Sequence, residues 1–211
     1  MKPIDPSSDP PWHDAQDSLD RYAQRLVTVG VERGLIGPRE VDRIWPRHIL
    51  NCAVVVLDPQ LEVPICAHII DVGSGAGLPG IVWALVRPDL QVTLVDSMRR
   101  RTNFLTETVE LLGLADRVAV VRARAEDLKG ELSAQIVTAR AVATLPQLVN
   151  WAMPLVERGG QLLALKGRTA PAELESARVD LRRAGAVSAE LKLVGGRWTV
   201  EPTGVVVVRK G

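Results

Sequence analysis

Cysteine is scarce in this chain: 211 residues hold only Cys52 and Cys66, and these form no C-x-x-C pair. Neither a disulfide framework nor a cysteine-built metal site is expected, and no metal is assigned. Aromatic rings are also few, with one phenylalanine, one tyrosine and five tryptophans. Stacking on nucleobases would fall mainly to tryptophan, yet Trp45, Trp83 and Trp151 lie in helical apolar patterns that read as core. No apolar run is long enough for a membrane span. The opening residues, Met1 to Pro11, are polar and proline-rich, which is not the pattern of a signal peptide, so a cytoplasmic protein is expected. Excess charge is lacking too. The net charge is +1, so any contact with nucleic acid must come from local basic patches.

What is present is an alternation of short apolar runs and amphipathic stretches. Residues 1–13, with Pro3, Pro6, Pro10 and Pro11 among Asp and Ser, read as a flexible arm. Residues 14–62 read as a helical cap. One helix runs from Ala15 to Arg33 and stops at Gly34; another begins near Pro38; and Pro46 either breaks it or sits in the first turn of a helix reaching Leu57. From residue 63 to 211 strands alternate with helices, which predicts a mostly parallel seven-stranded sheet covered on both faces, closed by an antiparallel pair. The expected strands lie at 69–72, 91–96, 118–122, 135–141, 161–165, 190–194 and 205–208, and one amphipathic helix is expected over 171–185.

The stretch around which the rest is arranged runs from His68 to Gly80, where Ile69, Ile70 and Val72 lead into four glycines within eight residues and then a helical pattern from Leu78 to Val86. Strand, tight loop and helix in that order make a nucleotide-type cofactor loop, in which glycines turn the chain and let a ligand approach the backbone. Two spacings overlap. Gly75, Gly77 and Gly80 satisfy G-x-G-x-x-G, whereas Asp71, Gly73, Gly75 and Gly77 satisfy D-x-G-x-G-x-G. The acid in the second pattern suits the ammonium of S-adenosylmethionine and would repel a pyrophosphate. Asp71 could equally brace the loop. Asp96, about 20 residues past the loop, can accept both ribose hydroxyls in either kind of site, with Ser97 as cap of the next helix. Ala125-Glu126-Asp127 follows the third strand, where adenine-binding residues often lie.

Arg140 ends the fourth strand, where crevices open in such sheets. Thr138-Ala139-Arg140-Ala141 is not the Asp/Asn-Pro-Pro-aromatic motif of amine methylation, and both cysteines precede the glycine loop, which disfavours a thiol nucleophile for cytosine carbon. A target with a free lone pair and no proton to lose, such as guanine N7, fits better. Basic clusters stand at Arg99-Arg100-Arg101, Arg122 and Arg124, Lys166 and Arg168, and Arg182-Arg183, of which the last reads as a solvated helix face. Arg47-His48 is the remaining constellation, either structural or facing the crevice.

Arg47-His48-Ile49-Leu50, the run from Asp71 to Gly80, Leu94-Val95-Asp96-Ser97, Ala139-Arg140-Ala141 and Ala164-Leu165-Lys166-Gly167 together resemble the bacterial small-subunit ribosomal RNA guanine-N7 methyltransferases, also called glucose-inhibited division protein B. The resemblance implies a class I, Rossmann-like S-adenosylmethionine-dependent fold and methylation of one guanosine in the decoding region of 16S ribosomal RNA, free or within the small subunit or an assembly intermediate, by a monomer. It implies that Gly73, Leu78, Ala125, Glu126 and Arg140 contact the cofactor, beside the Asp71, Gly75, Gly77 and Asp96 already read from the loop and strand ends. Arg47, Arg140 and Lys166 would meet substrate phosphates and His48 would position the base. Asn51-Cys52 departs from the Asp-Ser expected after the Arg-His-Ile-Leu run, which leaves Asn51 outside the expected site. The alternatives are a methyltransferase of this fold acting on another RNA or a small molecule, a non-catalytic RNA-binding module, and a nicotinamide-dependent oxidoreductase. The last lacks a Tyr-x-x-x-Lys pair, since the only tyrosine is Tyr22.

Overall fold

The computed structural model describes residues 10–199 and 201–211, so most of the expected arm lies outside the described residues. The seven expected strands form one sheet: β1 (His68–Val72), β2 (Gln91–Val95), β3 (Val118–Val121), β4 (Ala134–Arg140), β5 (Val156–Lys166), β6 (Ala186–Val194) and β7 (Thr203–Lys210). Their order is β3-β2-β1-β4-β5-β7-β6, with β1 to β5 parallel and β7 antiparallel to both its neighbours. Central strands covered on both faces need continuous apolar runs, and Ile69-Ile70 and Leu162-Leu163-Ala164 supply them. β5 starts five residues before the expected strand. Gly159, at φ +76°, and Gly160 break its side-chain pattern, and a Cβ on Gly160 would meet the Gln135 carbonyl of β4 at 2.5 Å.

Helix α1 (Gln16–Arg25) continues through a π-helical turn, Leu26–Gly30, and ends at Gly34 in the left-handed region. A 3₁₀ stretch, Pro38–Arg43, and a π-helical turn, Ile44–Ile49, lead into α2 (Leu50–Leu57). Pro46 therefore sits in the first turn of a helix, where its missing N–H costs no hydrogen bond. Helices α3 (Gly80–Val86) and α4 (Arg99–Leu111) follow β1 and β2, and α5 (Leu145–Ala152) follows β4. The amphipathic stretch over 171–185 is two helices, α6 (Ala170–Ser176) and α7 (Arg178–Arg183), with Ala177 buried at their junction. Ser97 caps nothing. The N–H of Met98 bonds instead to Asp96 Oδ1 at 2.9 Å.

One apolar cluster lies on each face of the sheet. The cap shares its cluster with α3, α4 and the sheet, through Tyr22, Leu19 and Leu26 against residues such as Trp83 and Phe104. The other face packs β4, β5 and β7 against α5, α6 and α7. Polar bonds tie the cap to α4: Arg21 Nη2 donates to the Leu111 carbonyl at 2.6 Å, and Arg25 donates to Thr108 Oγ1 and Glu107 Oε2, both at 2.8 Å. Trp12, inside the expected arm, is buried, with its ring 5.7 Å from that of Trp198 in an edge-on contact. Trp83 is core as expected, while Trp45 and Trp151 are only half-buried. Among the described residues no helix is long and apolar enough to cross a membrane.

Candidate functional site

The strand order reverses between β1, which pairs with β2 on one side, and β4 on the other, and crevices are expected beyond the carboxyl ends of those strands. Two open there. One, of about 330 Å³, runs along the glycine loop and is lined by Gly73, Gly75, Leu78, His48, Arg101 and Arg140 among others. The second, of about 580 Å³, is lined by Arg47, Asn51, Arg140, Lys166, Glu173 and Thr203 among others. Arg140-Ala141-Val142 borders both. Ala141 is left-handed at φ +55°, unusual for a residue with a Cβ, so this shared wall is held in a strained shape by what surrounds it.

Gly73, at φ +68°, is required by that wall, because a Cβ there would lie 2.7 Å from Val142 Cγ2. The loop is held at three points. Asp96 Oδ2 accepts the Gly75 N–H at 3.0 Å; the N–H groups of Gly73 and Ser74 both reach the Val95 carbonyl; and Tyr22 donates its hydroxyl to the Ala76 carbonyl at 2.8 Å. Tyr22 is fully buried, and burial raises its phenol well above the ordinary range, so it donates at any physiological pH.

Asp71 lies behind the loop. Its Oδ2 accepts the Gly80 N–H at 3.0 Å, bracing the start of α3, while Oδ1 is buried with no partner. Burial pushes this carboxyl up to about 7, against the opposing pull of the Gly80 and Ser74 hydrogen bonds. Asp96 is also buried. Besides Gly75 it holds Met98, and Arg101 Nη1 lies 3.2 Å from its Oδ2, so Arg101 stands between Asp96 and the crevice.

The four residues expected to serve the substrate are engaged with protein. Arg140 Nη1 donates to Cys52 Sγ at 3.1 Å and to the His48 carbonyl at 3.4 Å. Its Nη2 donates to His48 Nδ1 at 2.6 Å and to the Arg47 carbonyl at 3.4 Å. This guanidinium is a strut from the end of β4 to the helix carrying Arg47, His48 and Cys52. His48 must then present a bare Nδ1, so its proton sits on Nε2 and is donated to Glu40 Oε2 at 2.9 Å. Burial, then the charge of Arg140, lowers the His48 pKa and keeps the ring neutral. Glu40 also meets Arg47 Nη1 at 3.3 Å, and the Arg47 side chain is largely exposed. Lys166 is half-buried, with its Nζ 2.8 Å from Glu173 Oε2, and donates to the Ala143 carbonyl.

Arg47, His48 and Arg140 are thus in direct contact, and Lys166 shares the larger crevice with Arg47 and Arg140. Ala125 and Glu126 lie in a 3₁₀ turn after β3, Ala125 buried and Glu126 exposed, and line neither crevice. Asn51, set aside on sequence grounds, does line one. Tyr22, Glu40, Cys52 and Glu173 were not expected at the site, because each acts on a partner brought near by the fold.

A family model described as rRNA small subunit methyltransferase G matches residues 15–197. The chain is 57% identical over 187 residues to the ribosomal RNA small subunit methyltransferase G of Thermobifida fusca, covering 89% of this chain and 76% of that protein. It is 53% identical over 199 residues to the protein of the same name from Kineococcus radiotolerans, covering 93% and 75%. Among solved structures, an S-adenosylmethionine-dependent O-methyltransferase from Thermotoga maritima matches with a TM-score of 0.61 at 15% identity, covering 81% of this chain and 69% of that one. The methyltransferase SibL matches with a TM-score of 0.62 at 19% identity, covering 98% and 71%. At such identities the structures establish the fold, that of class I S-adenosylmethionine-dependent methyltransferases; the sequence relatives establish more, and the chain belongs to the rRNA small subunit methyltransferase G family.

Proposed function

We propose that this methyltransferase acts on N7 of one guanosine in the decoding region of 16S ribosomal RNA, with S-adenosylmethionine bound along the glycine loop. The larger crevice carries the reading. It is lined by Arg47, Arg140 and Lys166, and the carboxylate in its wall, Glu173, is not free to act as a base. That carboxylate already accepts Lys166, Thr169 Oγ1 and the Leu145 N–H, which hold its pKa below the ordinary range despite burial. Guanine N7 suits such a wall because it offers an in-plane lone pair and has no proton to remove, so orientation supplies the rate gain.

The residues at the smaller crevice fit adenosylmethionine. Gly73, Gly75 and Leu78 would lie along it, Asp96 would take the ribose hydroxyls once Arg101 moves aside, and Asp71, buried behind the loop with its Oδ1 unpartnered, would attract the ammonium through the loop. Bound there, the cofactor supplies an electrophilic methyl group. Ala125 and Glu126 would serve an adenine that extends past the crevice toward β3. The working partner is 16S RNA, free or in a subunit particle, met in the cytoplasm by a monomer.

The test is to incubate the enzyme with adenosylmethionine and 16S RNA or small subunits lacking the modification, then map the product by nuclease digestion and mass spectrometry. N7-methylguanosine at one site is the expected result. A methyl on another atom, or none on ribosomal RNA, would sink the proposal, and tight NAD binding would favour the oxidoreductase. Because N7 carries no proton and His48 is already neutral, kcat at saturating cofactor should stay flat from about pH 6.5 upward. A unit-slope rise of kcat in that range that persists in His48→Ala would point to deprotonation of a different target atom.

Cofactor affinity should behave differently. Asp71, with a carboxyl near 7, is largely protonated below that pH, whereas an ammonium on the other side of the loop favours the charged form. Adenosylmethionine affinity should therefore fall, by up to about tenfold per pH unit, as pH drops below 7. Calorimetric titration in buffers of different ionisation enthalpy should show proton release on binding at pH 6.5. Pure pH-independence would remove Asp71 from the ammonium site.

A further inference from the structure

The cluster Arg99-Arg100-Arg101 is divided by the fold. Arg101 turns in to Asp96, while Arg99 and Arg100 are exposed in the first turn of α4, a turn without an acidic residue. Neither belongs to any ion pair among the described residues. This placement works against stability, because cations at the positive end of a 13-residue helix are repelled by its dipole. Across from them stands Arg33 of the cap. Together with Asn103 and Glu107 these arginines line an open notch of about 450 Å³. Its lining holds three guanidinium groups against one carboxylate, and Glu107 is already shared between Arg33 at 2.9 Å and Arg25 at 2.8 Å. The notch adjoins the cofactor crevice by chain continuity on both sides. Arg101 follows Arg100 into that crevice, and Leu35 and Ile36, just past Arg33, line it as well.

We propose that the notch between the cap and α4 is a docking surface for the phosphodiester backbone of the RNA substrate, with Arg33, Arg99 and Arg100 meeting phosphates that flank the methylated nucleotide. The inference rests on the ribosomal RNA reading above. Geometry supports a backbone contact over base reading: guanidinium groups match phosphate oxygens as two-pronged donors, and no aromatic ring lines the notch. Glu107 acts here as an internal competitor, occupying two of the cap's arginines from the same side that the phosphates would approach.

The experiment measures the KM for RNA as a function of salt, with kcat and adenosylmethionine affinity as controls, in wild type, the double variant Arg99→Gln/Arg100→Gln, and Glu107→Gln. Loss of two phosphate contacts should lower the magnitude of the log–log salt slope by about 1.4–1.8, raise KM at low salt and leave kcat and cofactor binding in place. Glu107→Gln should move the other way, to a lower KM and a steeper slope, which a merely solvated helix face would not produce; its thermal midpoint reports whether the cap stays docked. If the double variant keeps the wild-type slope, or Glu107→Gln stays folded without tightening RNA binding, the docking surface is wrong. Inorganic phosphate at matched ionic strength should compete no better than sulfate, and strong selective competition would assign the notch to a free anion and overturn the proposal. A wild type that shows no salt-dependent RNA saturation at all would instead sink the ribosomal RNA reading.

Discussion

Gly77→Ala should reduce adenosylmethionine affinity by at least about thirtyfold and with it cut methylation sharply at working cofactor concentrations. Gly77 sits at φ +99°, where a residue with a Cβ is strained by about 1–3 kcal/mol. The added methyl also has nowhere to go. It would lie 2.8 Å from Ile81 Cγ1 and 2.9 Å from the Tyr22 hydroxyl, closer than Cβ atoms come to such neighbours. Neither can retreat, since Ile81 is buried and branched at Cβ and Tyr22 is fixed by its bond to the Ala76 carbonyl. The loop must shift by several tenths of an ångström, adding about 1–3 kcal/mol of overpacking. Titration with S-adenosylhomocysteine reads the effect directly, alongside a thermal melt. Near-normal affinity would mean that the loop does not cradle the cofactor in this conformation.

Arg140→Ala is expected to cost more in stability than any other exchange of a charged residue at the site. It would strand the Cys52 thiol, the carbonyls of Arg47 and His48, and His48 Nδ1, at about 1–3 kcal/mol for each group left both buried and unpaired. Even about 3 kcal/mol would lower the melting temperature by roughly 6–12 °C in a domain of this size. The wall at Ala141 and Val142 would loosen with it, so cofactor binding and RNA methylation should fall together. Arg140→Lys should rescue little, because one ammonium cannot serve four acceptors in a fork. A variant with normal melting and normal cofactor affinity but no RNA methylation would show that Arg140 serves the RNA and is not a strut. Lys166 belongs with Arg140 in this respect: its bonds to Glu173 and Ala143 make it a brace of the crevice wall as well as a candidate phosphate contact.

The parallel core was legible because buried strands such as Leu162–Leu165 write themselves as apolar runs, and because Gly34 stops a helix where the pattern stops. The antiparallel closing pair was legible from two strand patterns, 190–194 and 205–208, joined by a loop instead of a helix. The start of β5 was hidden, since Gly159-Gly160 carries no side-chain signal, and the break at Ala177 falls inside an amphipathic stretch with no proline or glycine to mark it. At the site, residue types were readable and their partners were not. Arg140 and His48 could be singled out by position, but that one guanidinium grips that ring, 92 residues away in sequence, is a property of the fold. Asp71 shows both of its sequence-level alternatives at once: one oxygen braces α3 and the other is left over.

The position of β7 has a consequence for how the chain is made. Residues 203–210 are synthesised after both of their neighbours, yet they form an interior strand between β5 and β6, with Val205 to Val208 almost wholly buried. Until they emerge, the apolar edge of β5 has no partner, and β6 has nothing to join. The nascent chain therefore carries an open, sticky strand edge from the time β5 emerges until β7 follows β6 and closes it.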